Sequence, residues 1–163
     1  MKDVSDQVRH GQGFDSFESG PLESWTQFRL VPPEAPRPVR GKYFLKKLLN
    51  TEGLEMSINS LPPGGAMPFV HRHVKNDEIY FIIKGTGQFQ AGAEVIDVAE
   101  GFFIRLSPEV PRVWRNNSTE PLYYLVIQYH SDSRIEGGTT DGELDDQPIA
   151  WLQGPEDEPT HRT

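Results

Sequence analysis

At 163 residues the chain is long enough for one domain with a real core and short for two. It contains no cysteine, which excludes a disulfide framework, a thiol nucleophile and thiolate ligation of a metal. The net charge of -8 is concentrated at one end: residues 131–163 carry nine acidic and two basic side chains, residues 1–130 fifteen and fourteen, so no basic face points to nucleic acid.

The N-terminus, MKDVSDQVRHGQG, is polar and lacks the apolar centre of a signal peptide. No apolar run approaches a membrane span. A soluble, cytoplasmic protein with no membrane partner is expected. Fifteen glycines, fourteen prolines and 10% aromatics suit many short strands joined by turns. Composition divides the chain into an N-terminal arm with a proline-rich linker (1–40), a strand-rich domain (41–130) and an acidic tail (131–163).

Within the arm, residues 1–24 read as irregular, and residues 25–30 as a strand or an aromatic clasp. Residues 31–38 hold four prolines and favour an extended spacer. Residues 42–49 and 53–61 read as two strands of a hairpin, the second with Leu54, Met56 and Ile58 alternating against Glu55, Ser57 and Asn59. Residues 67–73 read as a short strand, and 74–77 as a turn. Residues 78–84 form a strand with Tyr80 and Ile82 on the Glu78 face. Its other face, Ile79, Phe81 and Ile83, is also apolar, which predicts cover by the arm or by a second subunit. A homodimer is expected. Further strands follow at 88–91, 94–98, 102–106, 110–116 and 121–129. Beyond His130 the composition turns to Gly, Asp, Glu and Thr, with residues 149–152 as one potential anchor.

The chemistry gathers between Gly64 and Gly85, GGAMPFVHRHVKNDEIYFIIKG. On a strand His71 and His73 leave the same face, about 6.6 Å apart at roughly 3.3 Å per residue. Two imidazoles so placed can converge on one ion, and a carboxylate returned by a turn supplies a third ligand. Such a donor set suits iron, manganese, zinc or nickel better than calcium or magnesium. Asp77 competes with Glu78 for this role, but neighbours on a strand face opposite sides. His130 falls at the end of the last strand, and His10 and His161 fall in the terminal segments.

The spacing Gly65, five residues, His71-x-His73, four residues, Glu78, six residues, Gly85 resembles the first motif of the cupin superfamily at every fixed position. The resemblance implies an all-β fold, a double-stranded β-helix or jelly-roll cupin barrel with irregular N- and C-terminal extensions. It also implies a divalent transition metal on His71, His73 and Glu78, and association as dimers. The second motif matches less well. Gly101 and Asn116 agree, but Ser107 stands at the proline position beside Pro108, Glu109 at the second glycine, and Arg112 where the fourth ligand belongs.

An arginine stays protonated and has no lone pair to offer a metal. Two arrangements follow. His71, His73 and Glu78 hold the ion alone, with Arg112 binding an anionic small molecule and Tyr80 or Gln88 assisting by hydrogen bonding. The reaction would then be of dioxygenase, decarboxylase or isomerase type. Alternatively, Arg112 pairs with Glu78 in a metal-free, non-catalytic site for a sugar or small acid. Whether the protein is an enzyme is left open by the sequence.

Overall fold

The computed structural model describes residues 4–30, 38–132, 145 and 147. The proline-rich spacer apart from Pro38, the anchor expected at 149–152 and His161 fall outside the described residues, as does most of the acidic tail.

The N-terminal arm, expected to be irregular, instead forms a hairpin of β1 (Val8–Gly11) and β2 (Phe14–Phe17), then a 3-10 segment at Leu22–Gln27. Short strands β3 (Arg29–Leu30) and β4 (Val39–Arg40) pair with each other. Next come β5 (Lys42–Phe44), the single helical turn α1 (Lys46–Leu49) and β6 (Leu54–Leu61). The remaining strands are β7 (Asn76–Lys84), β8 (Thr86–Ala91), β9 (Glu94–Ala99), β10 (Phe103–Leu106), β11 (Arg112–Arg115) and β12 (Leu122–His130).

Every pairing among the described residues is antiparallel. One sheet runs β10-β7-β12-β6-β5 and a second β11-β8-β9. Tyr80, Ile82, Tyr124 and Val126 from the first sheet pack against Phe89, Val98 and Trp114 from the second. The chain is thus the expected all-β jelly roll, two sheets closed over one apolar layer. Aromatic stacking fills its centre, with Phe89 and Trp114 parallel at 5.6 Å and Tyr80 edge-on to both.

A second cluster lies on the outside of the larger sheet. Val4, Trp25 and Phe28 of the arm are buried there with Leu45, Ile58 and Tyr123, and Ile83, Leu125 and Met56 pack against them. Trp25 and Phe28 therefore act as the aromatic clasp, on a 3-10 turn rather than a strand. The arm covers Ile83 but not the far side of that face, where Phe81 stacks on Phe103 at 4.1 Å and Phe103 stays 63% exposed.

Two expected strands are corrected. The first, at 42–49, leaves the sheet after Phe44: Leu45 N–H donates to Met56 O, and Lys46–Leu49 then closes as one helical turn. Lysine and leucine are good helix formers, and Asn50, in the left-handed region at φ 47°, caps the turn. The second, at 67–73, makes only isolated bridges, Ala66 to Arg115 and His71 to Arg112. Pro68 supplies no N–H to a ladder, so the segment touches β11 at intervals.

Gly41 is required where the arm meets the barrel. Its φ is +73°, and a side chain there would lie 2.4 Å from the Ser60 carbonyl oxygen. Its N–H donates to Phe28 O and its C=O accepts from Ser60 N–H, which sets the start of β5.

Asn116 ties the segment after β6 to the turn before β12. Buried, its Nδ2 reaches the carbonyls of Leu61, Pro62 and Glu120, and its Oδ1 accepts from Ser118 N–H and Oγ–H. Asn116→Ala is expected to cost about 1–3 kcal/mol through carbonyls left unpaired. Urea denaturation with an unchanged m-value would check it.

Candidate metal centre

Three local features bring the donors together. His71 and Arg112 form a hydrogen-bonded cross-strand pair, with His71 N–H to Arg112 O at 3.1 Å and Arg112 N–H to His71 O at 2.8 Å. Their side chains thereby leave the same face. His73, two residues on, is held by its N–H to Pro108 O at 2.9 Å. Glu78 enters from β7, opposite Gln128 of β12 and Leu106 of β10. One donor atom from each of His71, His73 and Glu78 lies within 4.8 Å of the others.

Glu78 is only 2% exposed and well supported. Tyr80 donates its phenol proton to Oε2 at 2.6 Å, and Gln128 donates from Nε2 to Oε1 at 2.9 Å. His73 Nε2 stands 3.0 Å from Oε1 and Arg112 Nε 3.3 Å from Oε2. Neither nitrogen is aligned for a hydrogen bond, and both are buried without a hydrogen-bond partner, as is His71 Nδ1. Orphaned buried nitrogens are costly unless something satisfies them. Desolvation, more than any other cause, holds the His71 pKa below its ordinary value, which favours the neutral imidazole that ligates metals. Two imidazoles with unpaired ring nitrogens and a carboxylate fit a divalent transition ion, given metal–nitrogen distances of about 2.0–2.1 Å.

The ligand candidates line a cavity of about 260 Å³ with Tyr80, Trp114, Tyr124 and Gln128. Burial, chiefly, pushes the Tyr80 phenol pKa up, and the Glu78 charge adds to it. Tyr80 therefore stays protonated and donates to Glu78. Trp114 donates its indole N–H to Tyr124 Oη at 2.8 Å and meets the His71 ring edge-on at 5.8 Å, so the wall behind His71 is fixed.

Residues 58–128 match the family model described as cupin domain. A solved cupin protein from Bacteroides fragilis is 33% identical, with a TM-score of 0.61, over 74% of this chain and 97% of its own. This chain belongs to the cupin superfamily. An uncharacterized protein of Methanocaldococcus jannaschii is 29% identical over 89 residues, 52% of this chain and 71% of its own length. A cupin-superfamily structure from Silicibacter pomeroyi, described as a sugar phosphate isomerase, shares the fold at 15% identity and a TM-score of 0.51, over 55% of this chain and 59% of its own.

One expected site residue of this cupin, Gln88, is corrected, and Arg112 takes the second of its two expected arrangements, paired with Glu78. Gln88 points away from the cavity, bonded to Asp97 Oδ1 at 2.9 Å and accepting from Arg115 Nε at 2.8 Å. Its neighbours Gly87 and Phe89 are the buried ones. Arg112 is fully buried and does not line the cavity. Its Nη1 and Nη2 donate to the carbonyls of Pro108 and Ser107, each at 3.1 Å, and its Nε faces Glu78. With its fork engaged in this way, Arg112 supports Glu78 from behind rather than holding an anionic ligand.

The other candidates fall as geometry requires. Asp77 turns to the opposite side of β7 and pairs with Arg105. His130 and His10 are exposed and pair with Asp132 and Asp15. Lys42 escapes the sequence reading. It lines the cavity with its Nζ 4.8 Å over the Phe44 ring, and burial, opposed by the charges of Glu78 and Glu55, holds its pKa below the ordinary lysine value. No local pattern marks it. Only the pairing of Lys42 with Asn59 of β6 brings it there.

Proposed function

We propose that this cupin binds a divalent transition metal (iron, manganese, zinc or nickel) through His71, His73 and Glu78 and acts on a small anionic molecule in the adjoining cavity. The observation that carries this reading is the convergence of the three donors beside the cavity with His71 Nδ1 and His73 Nε2 unpaired. When bound, such an ion supplies Lewis acidity toward an oxygen of the substrate or activates oxygen. The chain's own contribution is to orient. Gln128 and Tyr80 fix the carboxylate plane of Glu78, and Trp114 backs His71. A cavity of about 260 Å³ is below the usual range for drug-sized ligands, roughly 300–1,000 Å³, which favours a small metabolite. Dioxygenase, decarboxylase and isomerase chemistry all suit this arrangement.

A second reading is favoured by the surroundings of Glu78. With Arg112 Nε 3.3 Å away and two hydrogen bonds already accepted, its charge is balanced without an ion. On that reading the cavity is a metal-free binding site for a sugar or small acid.

Elemental analysis of untagged protein, purified without chelator beside a His71→Ala, His73→Ala double variant, separates the two. About one transition ion per chain, absent from the variant, is the expected result. No metal after reconstitution would leave the binding-protein reading. A homodimer across the side of the larger sheet that carries Phe81 and Phe103 forms part of the proposal. Sedimentation of wild type beside Phe103→Asp tests it, a monomeric wild type being the adverse result.

A further inference from the structure

We infer that Lys42 is the anion-recognising residue of the cavity and that the ligand it selects is a small carboxylate with an apolar body. This rests on the reading of the cavity as the ligand site and adds the group that chooses the ligand.

Charge accounts for the first half. Glu78 is the one carboxylate lining the cavity among the described residues, and it is already met by Arg112, Tyr80 and Gln128. Lys42 has no carboxylate within ion-pairing distance among the described residues. Its ammonium instead stands over the face of Phe44, also a cavity residue. A cation–π contact steadies an ammonium but leaves its outward N–H donors unused. A partly desolvated ammonium with free donors, facing a cavity, is matched by an anion. Arg40, more exposed, also lines this cavity and adds a second positive charge.

Shape and donor number account for the second half. A phosphate dianion is usually held by several convergent donors, such as a guanidinium fork or a helix N-terminus. Here the fork of Arg112 is spent on backbone carbonyls, and Lys42 is a single point charge. One ammonium matches one carboxylate. Beyond it, Phe44, Met67, Phe69 and Trp114 offer apolar surface to an organic body.

The test uses calorimetric titration of the full chain with benzoate, its uncharged isostere benzamide, and inorganic phosphate. Wild type, Lys42→Met, Lys42→Arg and the His71→Ala, His73→Ala variant are compared. Wild type is expected to bind benzoate about tenfold or more tighter than benzamide, as a hydrogen bond to a charged group provides, and tighter than phosphate. Lys42→Met should bring that ratio near one with benzamide affinity unchanged, and Lys42→Arg should retain most of it. The metal-ligand variant should keep the preference, so failure of the metal reading and failure of this one are separable. Four results would overturn it: no benzoate preference in wild type, a preference surviving Lys42→Met, a preference lost only with the metal ligands, or phosphate binding tighter than benzoate.

Discussion

Replacing Arg112 by methionine is expected to lower the unfolding free energy by about 3–5 kcal/mol, the cost of removing one partner of a buried ion pair. Arg112 is 0% exposed and Glu78 2%, so solvent cannot take over the lost interactions. The substitution strands the Glu78 charge and also the carbonyls of Ser107 and Pro108, which accept from the guanidinium. Those carbonyls belong to the loop that carries His73 through its bond to Pro108 O. Destabilisation should therefore come with displacement of His73. Adding Glu78→Gln to Arg112→Met should recover part of the loss, because the charge that needed compensation is gone. Urea denaturation of both variants measures this. A loss below about 1 kcal/mol for Arg112→Met would mean that the pair is not closed off from water.

Phe28→Ala should cost a comparable amount, about 3–5 kcal/mol, as large buried aromatics do. Phe28 is 1% exposed and packs on Phe17 and Tyr43 at ring separations of 6.3 and 5.3 Å. Its carbonyl also accepts from Gly41 N–H, at the entry to β5. Truncation should thus loosen the arm, the barrel entry and Lys42 together. Phe103→Ala is the internal contrast. Phe103 is 63% exposed beside Phe81, and in an isolated chain its loss should fall under about 1 kcal/mol. Thermal denaturation of the two variants at matched concentration would show it. Equal losses would mean either that the arm is not part of the folded unit or that Phe103 is covered by a partner.

Several features of this cupin were legible from local pattern. His71 and His73 are two residues apart, and Glu78 is returned by a short connection. Even though residues 67–73 bridge rather than form a full strand, the cross-strand pair at His71 preserves the side-chain direction. Tyr80 and Ile82 follow Glu78 inward because a strand alternates whatever it packs against. Gln88 shows the limit of the same rule. Alternation sets it opposite Phe89, and the apolar partner was the available sign of which one faces inward.

What tertiary structure decided was which polar groups are already satisfied. The second motif placed Arg112 among the metal candidates in space. Whether its guanidinium is free for a ligand depends on the Ser107 and Pro108 carbonyls, whose orientation belongs to the folded loop. Lys42 reaches the cavity through the pairing of β5 with β6, across sequence with no shared period. Side-chain direction along a strand is a property of the local backbone and can be read residue by residue. Desolvation and the occupation of donors arise from atoms brought together across the fold, and no neighbouring residue in the sequence records them.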